Sequence, residues 1–411
     1  MNLLFIHQNF PGQFRHIAAH FAADPGNRVV AIGEASNLEK ATAIHPRIER
    51  RPYASPKGAH EATHPYVRGY EAAVRRGLAV ADVAARLKSE RFVPGLIMAH
   101  PGWGEALFLR DVFPSARIVQ HAEFFYQPTG ADVGFDPEFP GAGDDAHRIR
   151  TKNTTQLMSM EQADLLIAPT EWQCSRFPAT LRSRMQVAHE GIDTALVVPN
   201  PVMKIALARA GVTLAAGDEV VTYVARNLEP YRGFHVFMRA LPRLLSLRPQ
   251  ARVLIVGGNA VSYGARPAGG RSWRQTLLAE VGAGLDAARV HFLDRLPYAA
   301  YLQVLQVSAV HAYLTYPFVL SWSLLEAMSA GCMVVGSRTA PVEEVITHGK
   351  NGWLTDFFDH QVLADTLAEA LEQRARLGDI RRAARQTIVE RFDLRSICLP
   401  RHVELLSSQR Q

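Results

Sequence analysis

Two arginines bracket a turn in the segment Tyr223-Val224-Ala225-Arg226-Asn227-Leu228-Glu229-Pro230-Tyr231-Arg232-Gly233. A buried strand is expected to end at Ala225, the chain turns through Pro230, and a helix is expected from about Gly233. Arg226 and Arg232 then lie at the carboxyl end of a strand, beside the mouth of the sheet where ligands of such folds bind. A guanidinium offers a planar fork of donors, so the pair can make charge-assisted, bidentate contacts to a diphosphate. Two surface arginines closing helix ends fit the same spacing equally well.

A second segment runs Tyr316-Pro317-Phe318-Val319-Leu320-Ser321-Trp322-Ser323-Leu324-Leu325-Glu326-Ala327-Met328-Ser329-Ala330-Gly331. Ser321 suits a helix N-cap, Leu324, Leu325 and Met328 form the expected buried face, and Gly331 the terminator. Free amides in the first turn of such a helix point at an anion. Glu326 interrupts an otherwise apolar helix. Taken alone it reads as a solvent-facing carboxylate, or as one kept to accept hydrogen bonds from ribose hydroxyls.

The elements that must carry these groups follow from alternation. Short apolar runs at residues 3–7, 29–32, 96–100, 118–121, 165–168 and 185–188 are separated by helical stretches, notably residues 66–88. Runs apolar along their whole length suit parallel strands covered on both faces. The pattern restarts at residues 220–225, 253–256, 290–293, 310–313 and 333–335, after a Pro- and Gly-containing linker at residues 199–217. Repeated strand–helix alternation implies an α/β chain of two Rossmann-like domains facing one another across a deep cleft. Residues 1–205 are expected as the first domain and 206–385 as the second. A helical tail, 386–411, is expected to return to the first.

Bulk properties bound the rest. The 411 residues suit two domains, and 48% hydrophobic with 20% charged residues exclude a disordered chain. A net charge of +6 favours anionic partners, although scattered surface arginines account for it as readily. Three widely spaced cysteines, Cys174, Cys332 and Cys398, fit a reducing compartment and lack metal-ligand spacing. The opening apolar run is too short for an export signal, and no run approaches the roughly 20 residues of a membrane span. A cytoplasmic protein is expected, with peripheral contact at the inner membrane face left open. Nucleic acid has only the basic charge in its favour.

Together the two segments resemble the donor-binding motifs of family 4 of the retaining glycosyltransferases, the group 1 enzymes of GT-B fold. The resemblance takes in Ala340-Pro341-Val342-Glu343-Glu344-Val345-Ile346-Thr347-His348-Gly349-Lys350-Asn351-Gly352, and more weakly His121 and Gly191-Ile192-Asp193. It implies sugar transfer from a nucleoside-diphosphate sugar, UDP- or GDP-linked, to an acceptor that the residues do not identify. Arg226 and Arg232 would neutralise the diphosphate, and Glu326 would hold the ribose. His121 would reach the donor sugar from the N-terminal side. Arg232 replaces the family's usual lysine. Phe318 replaces a glutamate that contacts the transferred sugar, which leaves sugar reading to the main-chain amides of Val319, Leu320 and Ser321, with Leu325 behind them.

Further candidates lie at strand ends in the first half. Gly12, within Gln8-Asn9-Phe10-Pro11-Gly12-Gln13-Phe14, lacks a side chain where backbone approaches phosphate in this fold. Trp103 and Glu105 are expected to shape an acceptor pocket, Trp103 by stacking on a sugar ring or by covering core. Glu123 would orient the His121 imidazole or an acceptor hydroxyl. No Asp-x-Asp cluster stands where a metal would meet the diphosphate, so no metal or other cofactor is expected. A non-catalytic sugar-nucleotide-binding protein and a GT-B sugar-nucleotide epimerase are the alternatives. An NAD-dependent oxidoreductase is disfavoured, because Leu254-Ile255-Val256-Gly257-Gly258-Asn259 lacks the Gly-x-Gly-x-x-Gly spacing.

Overall fold

The first seven strands are short apolar runs that pair in parallel, and a computed structural model places them in one sheet; residues 1–141 and 143–408 are described. They are β1 (Asn2–Ile6), β2 (Arg28–Glu34), β3 (Ile48–Tyr53), β4 (Leu96–Ala99), β5 (Arg117–His121), β6 (Leu165–Ala168) and β7 (Met185–Val187), in the order β3-β2-β1-β4-β5-β6-β7. β1 and β4 are almost wholly buried because helices cover both faces, as their unbroken apolar runs require. β3, Ile-Glu-Arg-Arg-Pro-Tyr, is the edge strand and buries only Ile48 and Tyr53 fully. The helix Pro65–Ser89 turns Val80, Val83, Ala84 and Leu87 into the core.

The second unit opens with an antiparallel hairpin, β8 (Lys204–Leu207) and β9 (Val212–Ala215), inside the expected linker. Its main sheet comprises β10 (Val220–Asn227), β11 (Arg252–Gly258), β12 (Val290–Asp294), β13 (Val310–Tyr313), β14 (Met333–Ser337) and β15 (Trp353–Thr355). The order is β12-β11-β10-β13-β14-β15, parallel throughout. In each sheet the strand order reverses beside a central strand, between β1 and β4 and between β10 and β13. Ligands of open α/β sheets bind at the carboxyl ends of strands at such a reversal.

The two units are residues 1–191 with the segment from Arg395 onward, and Ile192–Leu394. Residues 192–205 therefore belong with the second unit, where the Ile192 amide donates to the Phe392 carbonyl at 2.8 Å. The helix Gly378–Phe392 stays with the second unit too, packing Ala384 and Ile388 into its core. Only the last helices return to the first unit. There Leu405 and Leu406 join Phe5 and Phe14, and Arg117 donates to the Leu406 carbonyl at 2.8 Å. Among the described residues no helix is long and apolar enough to cross a membrane.

Candidate active site

β10 ends at Asn227, so Arg226 lies within the strand and Arg232 in the turn after it, in different surroundings. Arg226 is exposed and makes no hydrogen bond or ion pair among the described residues. Arg232 closes the 3-10 turn Pro230–Arg232 and is only 8% exposed. Its Nη1 donates to the Thr315 hydroxyl at 2.8 Å and to the Val319 carbonyl at 2.9 Å. The rings of Tyr263 and Phe318 lie 5.5 and 5.9 Å from its guanidinium carbon. No carboxylate pairs with it among the described residues. A buried cation without a counter-charge is costly to keep.

The neighbourhood of Arg232 is held from two sides. The Tyr223 hydroxyl donates to the Arg232 carbonyl at 2.6 Å. Glu229, fully buried, accepts from the amides of Ser262, Tyr263 and Gly264 at 3.0 to 3.2 Å and so seats Tyr263 beside Arg232. Gly233 turns at φ +66°, and a Cβ there would meet Leu314 Cβ at 2.3 Å, so the helix Phe234–Leu247 can start only from glycine.

A cavity of about 400 Å³ opens at the ends of β10 and β11, lined by Arg226, Gly257, Arg295, Tyr298 and Tyr301 among others. Glu326 lies behind the tyrosines in the helix Trp322–Ser329. Tyr298 donates to its Oε1 and Tyr301 to its Oε2, each at 2.8 Å. Burial raises the Glu326 carboxyl and the two phenols act to lower it, with a net upward shift. A carboxylate buried on an apolar helix and held by two donors is therefore not the solvent-facing residue of the plain reading.

The turn before that helix differs from expectation in detail. Ser321 is the N-cap, accepting from the Ser323 amide at 3.3 Å, but its own amide donates to the Tyr313 hydroxyl at 2.9 Å. Val319 gives its carbonyl to Arg232, and the side chains of Leu320 and Leu325 are core. Of the three amides expected to read a sugar, that of Ser321 is thus already engaged. Phe318 is buried, its ring 4.8 Å from that of Tyr263. An aromatic wall stands where the resemblance implies a carboxylate.

In the first unit, loops after β1, β4 and β5 bring histidines and carboxylates together. His121 Nε2 lies 3.0 Å from Glu190 Oε1, both buried, with His189 3.6 Å from the other oxygen. Burial opposes charge on His121, but Glu190 outweighs it and raises the imidazole. Glu190 itself is held far below the usual carboxylate range, against its burial, by His189 and His121. Glu123 pairs instead with His100 at 3.7 Å and accepts from Gln13 at 2.8 Å. Its carboxyl is held at about 2 by His100 against burial. Gln13 also reaches His7 at 2.8 Å, and burial together with His100 brings His7 down to about 3. The expected His121–Glu123 pairing is therefore replaced by two dyads, His121–Glu190 and His100–Glu123.

Trp103 stacks on His100 at 4.2 Å and meets His7 edge-on, covering the histidines. Glu105 turns elsewhere. At 1% exposure it accepts from Tyr53 at 2.8 Å and faces Arg76, so it ties β3 to the helix Pro65–Ser89. An acceptor-facing Glu105 does not match that burial. Gly12 has φ +45°, and a Cβ there would lie 2.7 Å from the His7 ring. Gly12→Ala should therefore destabilise the chain by about 1–2 kcal/mol from the left-handed backbone alone, more with the clash. Denaturant midpoints check this, and an unchanged midpoint would contradict the assigned backbone.

Arg295, Tyr298, Tyr301 and Glu190 escape the sequence reading. Arg295 follows the end of β12 and donates to Asn227 at 2.8 Å, and Arg226 is the penultimate residue of β10. A basic residue at the carboxyl end of a strand is the signal that applies to both. The tyrosines give no such signal, because in an apolar helix they read as core.

Known proteins resemble the chain in sequence and fold. The model of the glycosyl transferase family 4 group matches residues 25–197, and that of the glycosyl transferases group 1 matches residues 207–387. A D-inositol 3-phosphate glycosyltransferase of Corynebacterium efficiens is 28% identical over 246 residues, 58% of this chain and 56% of that protein. A GDP-mannose-dependent alpha-(1-6)-phosphatidylinositol monomannoside mannosyltransferase of Mycolicibacterium smegmatis is 25% identical over 255 residues, 61% of this chain and 63% of its own. The aligned part is thus little more than half of these curated relatives. Among solved structures, Anabaena HepE in complex with UDP and glucose superposes with a TM-score of 0.69 at 20% identity over all of both chains. Sucrose-phosphate synthase from Thermosynechococcus elongatus gives 0.72 at 16% identity over 98% of each. These likenesses show the GT-B fold.

Proposed function

We propose that this chain, which belongs to the group 1 glycosyltransferases, moves a sugar from a nucleoside-diphosphate sugar to an acceptor hydroxyl. The observation that carries this reading is Arg232, a buried guanidinium with no carboxylate partner among the described residues; Arg226 and Arg295 line a cavity at the ends of β10 and β11. A diphosphate supplies the missing counter-charge. Glu326, held by the two tyrosines that line that cavity, accepts from ribose hydroxyls in this reading.

The chemistry then follows from where charge develops. The bond from the anomeric carbon to the β-phosphate oxygen breaks, and the acceptor oxygen bonds to that carbon. Negative charge grows on the departing diphosphate, and fixed cations stabilise it more in the transition state than before it. The departing phosphate accepts the acceptor's proton on the same face, which retains the anomeric configuration and needs no protein base. The arginines take the place of a metal ion.

Relatives' names point to two donor nucleotides, UDP for Anabaena HepE and GDP-mannose for the Mycolicibacterium enzyme. A thermal-shift series with UDP-, GDP-, ADP- and dTDP-sugars decides between them. At a hundred times its Kd, the right donor stabilises the folded chain by about 2.7 kcal/mol. No shift with any nucleotide sugar would sink the reading. Phe318, an aromatic residue in place of a carboxylate, favours a binding protein without transfer as the second reading. Release of free nucleoside diphosphate only when an acceptor is added separates the two.

A further inference from the structure

Tyr298 and Tyr301 lie one turn apart on the helix Tyr298–Val307, so their side chains share a face. Both hydroxyls converge on Glu326, one on each carboxylate oxygen. The carboxylate is thereby satisfied with no ligand present, as a buried polar group must be. The rings differ sharply in burial. Tyr301 is 8% exposed and packs with Leu302, Leu305 and Leu325, whereas Tyr298 is 47% exposed at the first residue of the helix.

That difference decides which hydrogen bond can be given up. A hydroxyl on a half-exposed ring turns to water when it leaves its partner. The Tyr301 hydroxyl would be stranded in the core, where an unpaired polar group is costly. We infer that Tyr298 is a placeholder, whose hydroxyl occupies the Glu326 oxygen that a ribose hydroxyl takes over when the nucleotide binds, while Tyr301 stays as a positioning residue. This rests on the nucleotide reading of the cavity given above.

Two consequences follow. Binding must first break the Tyr298–Glu326 hydrogen bond, so removing it favours the complex. Glu326 also never stands bare, so a nucleotide lacking the ribose hydroxyl is rejected weakly, since Tyr298 keeps its place. A site with unsatisfied groups rejects such analogues by roughly 10⁴-fold or more. Here about tenfold is expected, the worth of one exchanged hydrogen bond.

Titration calorimetry on the full chain with UDP, or GDP where the thermal series selects it, tests the inference. Tyr298→Phe should tighten Kd by about two- to tenfold, and Tyr301→Phe should loosen it. In a Glu326→Gln background the Tyr298→Phe effect should fall below about twofold, since the charged acceptor is gone. A Tyr298→Phe variant that binds more weakly overturns the placeholder, as does tightening that persists undiminished in the Glu326→Gln background. Rejection of the 2′- and 3′-deoxy nucleotides by more than about 10³-fold overturns it as well. If the unsubstituted chain binds neither UDP nor GDP, the nucleotide reading falls with it; binding with the wrong sign for Tyr298→Phe sinks the placeholder alone.

Discussion

Arg232→Ala is expected to lower transfer at saturating donor by about 30- to 1000-fold, equivalent to roughly 2–4 kcal/mol of transition-state stabilisation. The guanidinium is buried, makes two hydrogen bonds to neutral groups and pairs with no carboxylate among the described residues. Its charge is therefore uncompensated until an anion arrives, and most needed as the diphosphate departs. Removing it relieves the free protein of a buried cation while leaving the Thr315 hydroxyl and the Val319 carbonyl short of a donor. These effects oppose one another, so folding stability should move far less than catalysis. Arg232→Lys separates charge from geometry: it keeps the cation but loses the planar fork, and should recover only part of the rate. Steady-state kcat, measured beside a denaturation curve for each variant, gives the answer. Full kcat in the alanine variant would end the diphosphate role, and a parallel fall in stability would make Arg232 a structural residue.

How much of this was legible follows from which forces act locally. The central strands β1, β4, β10 and β13 announce themselves because burial on both faces demands unbroken apolar runs. The edge strands β3 and β15 do not. β3 alternates charged residues toward solvent, and β15 is three residues long. The hairpin β8–β9 hides in a segment whose prolines and glycines read as linker. Arg226, Arg232 and Glu326 stand out because motif order and strand ends flag them together. Their partners do not, since Tyr298 and Tyr301 meet Glu326 across 25 to 28 residues. No local periodicity encodes that choice. Glu123 shows the same limit from the other side. Two residues from His121, it is the obvious partner by spacing, yet the fold gives it to His100 and brings Glu190 to His121.

The His121–Glu190 dyad carries the other large effect. His121→Ala removes one half of a buried pair 3.0 Å apart and takes the imidazole away from the buried Glu190 carboxylate. Breaking a buried pair this way destabilises by about 3–5 kcal/mol. The effect must also depend on pH, with a sign set by the two shifts. His121 is raised above its ordinary 6.5, so its contribution is full below that value and is lost as pH climbs through the folded one. Glu190 is lowered, so its contribution is full above its ordinary 4.5 and is lost as pH falls through the folded value. The pair is therefore strongest between 4.5 and 6.5. The stability difference between the native chain and His121→Ala should peak there and shrink as pH rises through the folded value of His121, above which the imidazole is neutral and only packing is lost. Hydrogen exchange of the β5 amides, the strand that ends in His121, reads this unit without interference from unfolding of the other. A difference that does not shrink anywhere as pH is raised above 6.5 would mean that the dyad is held by packing and neutral hydrogen bonding.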